Sequence, residues 1–198
     1  MVSERVPFHL TVEEQPPPGE SDSSEALAVR GDSESFIRLY ETHVQAVYNY
    51  LLGRLGHRQD AEDVTALVFA EVWRSLPRYR PTGSFKGWLF TIAHRILLRQ
   101  IRVRPKPTLP IDPLAEVLVD PALGPEEHAL AADTVRQTIA LLATLRPEQQ
   151  EVISLRFLAG LPYKEIARVV GKRESAVKLT AYRALVDLRR RAQDVQPE

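Results

Sequence analysis

The chain has 198 residues, a formal net charge of zero and no cysteine. That length holds one or two small domains, each able to bury a modest core. The missing thiols exclude a disulfide framework and thiolate metal sites, and the five histidines fall in no metal-ligand spacing. No apolar run nears the roughly 20 residues that cross a bilayer, and the amino terminus lacks the basic-then-apolar order of a secretory signal. A cytoplasmic protein without membrane insertion is expected.

The zero net charge conceals segregation by sign. Residues 1–35 carry two basic and eight acidic side chains, 36–106 twelve and five, 107–133 none and six, and 134–191 twelve and five. Two basic blocks joined by an acidic strap suggest two nucleic-acid-facing modules with a linker between them.

Residues 1–30 contain PPPGESDSSE, are acidic and lack helical periodicity, so they read as a disordered tail. From Asp32, a suitable N-cap, a helix follows with an apolar stripe of Phe36, Leu39, Tyr40, Val44, Val47 and Leu51, ended by Gly53 and Gly56. The next helix opens at Asp60 with acidic residues in its first turn. Its apolar residues form two adjoining stripes, Val64, Leu67, Val68 and Val72 on one and Phe69, Trp73 and Leu76 on the other. That is more than one buried face requires: the helix is either central to its bundle or offers a face to a partner protein.

The stretch from Arg78 to Lys106 holds eight Lys or Arg, no acid, and the aromatics Tyr79, Phe85, Trp88 and Phe90. Interleaved cations and rings suit single-stranded DNA, whose bases stack on rings while cations follow the backbone. Trp88, Leu89, Ile92 and Ile96 equally make the core stripe of a helix. Phe85 and the small-residue loop Pro81, Gly83 and Ser84 offer a place for an unstacked base. Beyond Arg102 the sequence RPKPTLPIDPLAEVLVDPALGPEE is Pro-rich and turns acidic, the composition of a linker.

The carboxy-terminal run reads as a helix-turn-helix. Its first helix starts at Pro147, with Val152, Ile153, Leu155 and Phe157 on an apolar stripe, and stops at Gly160. A short second helix from Tyr163 buries Ile166, Val169 and Val170 and ends at Gly171. In the third, Val177, Ala181, Ala184, Leu185 and Leu188 mark the core face, and Ser175, Leu179, Tyr182 and Arg183 the opposite one, with Lys178 at its flank. A plain three-helix bundle with a solvated basic face has the same spacing; the surplus of cations favours a surface that meets phosphates. The expected fold is all-α: a domain at 31–104, a linker at 105–132, a helix-turn-helix domain at 133–192 and a tail at 193–198.

In order and spacing, FIRLYETHVQAVYNYL, DAEDVTALVFAEVW, SFKGWLFTIAH, LRPEQQEVISLRFLAGLPYKEIARVVG and SAVKLTAYRALVDLRR resemble a bacterial RNA polymerase sigma factor of the extracytoplasmic-function (ECF) type. The resemblance implies a non-catalytic subunit without cofactor or metal that binds the β and β′ subunits of core RNA polymerase and directs it to promoter DNA, restrained by an anti-sigma protein. It implies polymerase contacts at Asp60, Glu62, Asp63, Phe69, Val72 and Trp73. Capture of the melted minus-ten strand would fall to Arg78, Tyr79, Arg80, Ser84, Phe85, Lys86, Trp88, His94, Arg95, Arg99 and Arg102. Reading of the minus-thirty-five duplex would fall to Lys172, Arg173, Ser175, Lys178, Leu179, Tyr182 and Arg183. The chain departs from the family pattern at Ala66 and Leu67, usually Gln-Glu; at Arg95 and Arg99, usually Asn and Asp; at Leu179 and Thr180, often Ser-Arg; and at Arg173, usually a hydroxyl N-cap. An alternative reading is a sigma-like decoy that binds an anti-sigma protein without recognising DNA. No nucleophile–base set, phosphate loop or metal motif points to an enzyme.

Overall fold

The computed structural model describes residues 32–80, 83–103, 124, 127 and 140–195. The expected tail at 1–30, residues 81 and 82 of the loop and nearly all of the linker lie outside the described residues. Six helices and two short turns make up the named elements among them, with no strand. Helix α1 spans Ser33–Leu55. Its Asp32 N-cap accepts from the backbone of Glu34 and Ser35 at 3.3 and 3.0 Å, and Gly56, in the left-handed region at φ 70°, closes the far end. Helix α2 spans Arg58–Ser75, opening two residues before the expected Asp60, and a 3-10 turn, Leu76–Arg78, follows. Helix α3 spans Phe85–Val103.

The second unit begins with α4, Pro147–Ile153, which runs into a wide turn at Ser154–Leu158. There the Ala159 N–H donates to Ser154 O at 3.0 Å, one residue further back than in an α-helix. The inserted residue shifts the register, so Val152, Ile153 and Leu155 are buried while Phe157, expected on the same stripe, is exposed. Helix α5 spans Tyr163–Val170 and stops at Gly171, φ 66°. Helix α6 spans Glu174–Val195. Its core face is Val177, Ala181 and Ala184, with Leu185 and Leu188 partly buried.

A single apolar cluster joins the two units. Val47, Leu51, Val64, Val68, Phe85, Leu89 and Phe90 of the first share it with Leu155, Leu161, Ile166, Val169 and Val177 of the second. The wide turn packs on α1, and α5 packs on α3. Helix α6 meets α4 and α5, so the helix-turn-helix is seated on the first bundle through its first two helices.

Candidate nucleic-acid interface

The Gly171 turn sets α6 across α5. The N–H groups of Gly171 and Lys172 close on Arg168 O and Ala167 O, at 3.3 and 2.9 Å, and satisfy the last carbonyls of α5. Lys172, Arg173, Ser175, Lys178, Leu179, Tyr182 and Arg183 are all exposed, as the sequence spacing predicts. Lys178 pairs with Glu174 at 2.8 Å along the helix and Lys172 with Glu148 of α4 at 3.0 Å. Three large apolar or aromatic side chains, Leu179, Tyr182 and Val186, stand out of this basic face at 48, 66 and 48% exposure.

On the first unit the arginines behave differently from the rings. Arg78, Arg80, Arg95, Arg99 and Arg102 are exposed, and the last three recur at helical spacing along α3. Tyr79 and Phe85, expected to receive bases, are 3 and 1% exposed. With the half-buried Trp88 they form a ring cluster, centroids 4.7 to 5.7 Å apart, so their apolar area is spent on the core. Ser84 caps α3, its Oγ accepting from the Gly87 N–H at 3.0 Å. Among the expected polymerase contacts, Glu62, Asp63 and Trp73 are exposed and Asp60 is half-buried, but Phe69 and Val72 lie in the core because α2 is central to its bundle. The large apolar residues α2 does expose are Leu67, 51%, and Trp73, 42%, the latter edge-on to Phe36 at 4.8 Å.

His94 is turned inward, into a polar network that sequence spacing does not reveal. The Tyr50 hydroxyl donates to Glu151 Oε1 at 2.6 Å, and His94 Nδ1 faces the same oxygen at 2.9 Å. Arg54 Nε approaches Glu151 Oε2 to 3.1 Å as an ion pair without the alignment of a hydrogen bond, while its Nη1 donates to Gln150 Oε1 at 2.8 Å. Burial would raise the Glu151 carboxyl, but the His94 hydrogen bond, the charges of Arg54 and His94 and the Tyr50 hydroxyl hold it below its ordinary value. Burial, followed by the Glu151 charge, pushes the Tyr50 phenol well above its own. One signal does exist in the sequence: Arg54 falls seven residues after Val47 and three after Leu51, on the buried stripe of α1, where a charge requires a partner.

Between α2, α3 and α5 lies a groove of about 1020 Å³, lined by Leu67, Arg74, Arg95, Leu98, Arg99 and Arg102 among others. Glu71, paired with Arg74 and, at 3.7 Å, with Arg95, is its one acid among the lining residues. Apolar walls and an arginine row suit a ligand that is flat or apolar in part and anionic in part.

A basic helix-turn-helix seated on a helical unit whose third helix presents an exposed row of arginines, Arg95, Arg99 and Arg102, fits a DNA-binding protein of the transcription machinery. Residues 39–105 match the family Sigma-70 region 2 and residues 136–188 match Sigma-70, region 4. The chain is similar to ECF RNA polymerase sigma factor BldN of Streptomyces coelicolor, 34% identical over 187 residues, covering 88% of this chain and 68% of that protein. In fold it is similar to CnrH in complex with the cytosolic domain of CnrY, at TM-score 0.69 and 22% identity, covering 89% of this chain and all of that one. It is also similar in fold to the sigma factor RpoE in complex with the anti-sigma factor NepR from Bartonella quintana, at TM-score 0.61 and 20% identity, covering 79 and 96% of the two chains. The chain belongs to the ECF family of RNA polymerase sigma factors, the subunits that bind core polymerase and promoter DNA to initiate transcription.

Proposed function

We propose that α3 and the segment before it capture the melted minus-ten strand, that α6 with Lys172 and Arg173 reads the minus-thirty-five duplex, and that the Leu67 and Trp73 face of α2 docks on core polymerase. The observation that carries the first assignment is the exposed row Arg95, Arg99 and Arg102 in a stretch without an acid. Strand contact there goes through arginine to phosphate and base face, because Tyr79 and Phe85 are committed to the core. The role is one of binding, with no chemical step of its own.

An anti-sigma protein is the regulatory partner in this reading, supported by the exposed apolar side chains of α2 and by the complex that similar RpoE makes with NepR. A decoy that binds such a protein without touching DNA has no use for two arginine-rich faces, which favours the promoter-binding reading. The test is run-off transcription with core polymerase, the purified chain and fragments of its own genome, followed by mapping of RNA starts. Starts sharing two spaced upstream elements are expected; their absence on every fragment would overturn the assignment.

A further inference from the structure

Glu71 of α2 lines the groove between α2, α3 and α5 together with Arg74, Arg95, Arg99 and Arg102. A carboxylate beside a nucleic-acid strand repels its phosphates, so its place there needs a cause. Fold stability does not supply one: its ion-pair partners Arg74 and Arg95 have side chains 77 and 70% exposed, and pairs as open as that contribute little. Thr91 and His94, also in the lining, are committed elsewhere, Thr91 Oγ1 to Gly87 O at 2.9 Å and His94 Nδ1 to Glu151 at 2.9 Å.

Glu71 itself keeps accepting capacity. An ionised carboxylate accepts at about four lone-pair positions. The Ser75 hydroxyl donates to Oε1 at 3.1 Å and Arg74 Nη2 donates to Oε2, while Arg95 Nη2, at 3.7 Å from Oε1, pairs by charge from beyond hydrogen-bond reach. Among the described residues one position on each oxygen is thus left open, and the side chain is 21% exposed. Burial would raise the carboxyl, but Ser75, Arg74 and Arg95 hold it below its ordinary value, so at neutral pH it only accepts. Arg95 and Arg99 stand beside it in the same lining, and a guanidinium plane is a surface on which a base can stack.

A paired acceptor next to a cationic donor selects among bases by the edge that unpairing exposes. Guanine presents N1–H and its N2 amino group side by side, spaced like the two oxygens of a carboxylate, with O6 as an acceptor next to them. Adenine and cytosine present one amino group on that edge and thymine one imide N–H, so each gives a carboxylate a single bond. Resting on the strand-capture reading above, we propose that Glu71 is a specificity-determining residue for the melted strand: its two oxygens accept from N1–H and the N2 amino group of a guanine while Arg95 donates to O6. The arginine row then holds a strand of any sequence, and Glu71 decides which base settles in the groove.

The test uses the full chain bound to core polymerase, with core polymerase alone as the baseline, and labelled single strands of about 12 nucleotides. One strand is all thymine; the others carry a single guanine, inosine, adenine or cytosine at the centre. Thymine on both sides lets each strand slide until its odd base meets the groove. The guanine strand should bind about tenfold more tightly than the thymine strand, the worth of one good bidentate pair. Inosine, which keeps N1–H and O6 but lacks the amino group, should lose most of that gain, and adenine and cytosine should gain less than guanine. In Glu71→Gln the ratio of guanine to thymine affinity should fall close to one. The ratio separates reading from positioning, because a Glu71 that only held Arg74 and Arg95 in place would shift every strand by the same factor. Guanine that binds no more tightly than the other bases, or a guanine preference that survives Glu71→Gln, would overturn the proposal and leave strand capture standing. Arg95→Ala with Arg99→Ala tests the underlying reading by itself: all five strands should lose affinity, and undiminished affinity would remove the strand-capture site and the part of Glu71 in it.

Discussion

Arg54 of α1 and Glu151 of α4 form an ion pair at 3.1 Å with side chains only 6 and 9% exposed. Such a pair gives up hydration on both sides and repays it only where the remaining polar atoms are bonded. Here Gln150 takes the Arg54 Nη1, and Tyr50 and His94 share Glu151 Oε1. Apolar contact is non-directional, whereas this placement of the second unit is the one that brings the two charges to 3.1 Å.

Removing one partner strands the other. Glu151→Ala should cost about 3–5 kcal/mol in denaturant unfolding, the usual result of leaving a buried charge uncompensated. The double change Arg54→Met with Glu151→Leu should recover most of that loss, since apolar replacements of similar volume are often neutral. A double variant as unstable as the single one would show that the packing around the pair, not its charge, sets the cost.

The same cluster predicts a two-sided pH dependence. Glu151 has a folded-state pKa below its ordinary 4.5, so its contribution is complete above that value and is lost as the pH falls through the lower folded value. Tyr50 has a folded-state pKa well above its ordinary 10.0, so its contribution is complete below 10 and is lost as the pH rises past it. The thermal midpoint should be level between about pH 5 and 10 and fall on both sides. Tyr50→Phe should remove most of the alkaline fall and leave the acid one; a smaller part belongs to Tyr48, which burial also raises.

Local features were readable in the sequence because their causes are local. Asp32 caps α1 with its own carboxylate, Gly171 takes the left-handed position that ends α5, and Ser175, Leu179, Tyr182 and Arg183 share the outer face of α6 by spacing alone. The exceptions have nonlocal or backbone causes. Phe157 left its stripe because the wide turn added a residue. Phe85 and His94 carry the right chemistry for DNA, but the core claimed the ring and Glu151 the imidazole. An arginine on an apolar stripe announces that it needs a partner, and nothing in its neighbours says that the partner is Glu151.

Gly171 offers a clean measure of backbone strain. It stands at φ 66° with nothing within 4 Å of the place a Cβ would take, so Gly171→Ala brings no clash and exposes only the left-handed penalty. A loss of about 1–2 kcal/mol in unfolding free energy is expected, with Gly171→Asn losing less because asparagine tolerates that region better. Equal losses for the two would mean that the α5–α6 turn had rearranged.

Trp73 is half in the protein and half out, edge-on to Phe36. If its outer half contacts polymerase, Trp73→Glu should weaken core binding at least tenfold, as loss of an aromatic anchor does, while duplex binding by α6 stays within twofold, roughly the scatter of independent sites. Surface binding assays with core polymerase and with promoter duplex separate the two. Unchanged core affinity would move the docking face off α2.

The outer face of α6 is poor in groups that read base edges in pairs. The Thr180 hydroxyl is returned to Ala176 O at 2.9 Å, leaving Ser175, Lys178, Tyr182 and Arg183 as donors beside the apolar Leu179 and Val186. In the major groove an apolar side chain meets the thymine methyl. Once the upstream element is mapped, replacing its thymines by deoxyuridine should weaken binding about fourfold per methyl in contact, the worth of roughly 0.8 kcal/mol. Leu179→Ala should be blind to that change. Lys178→Ala and Arg183→Ala should instead weaken every sequence alike and flatten the salt slope by about 0.9 for each lost phosphate contact. A wild-type chain that ignores the missing methyls, with its salt slope still dependent on Arg183, would assign Leu179 to a protein surface and leave the helix in the groove.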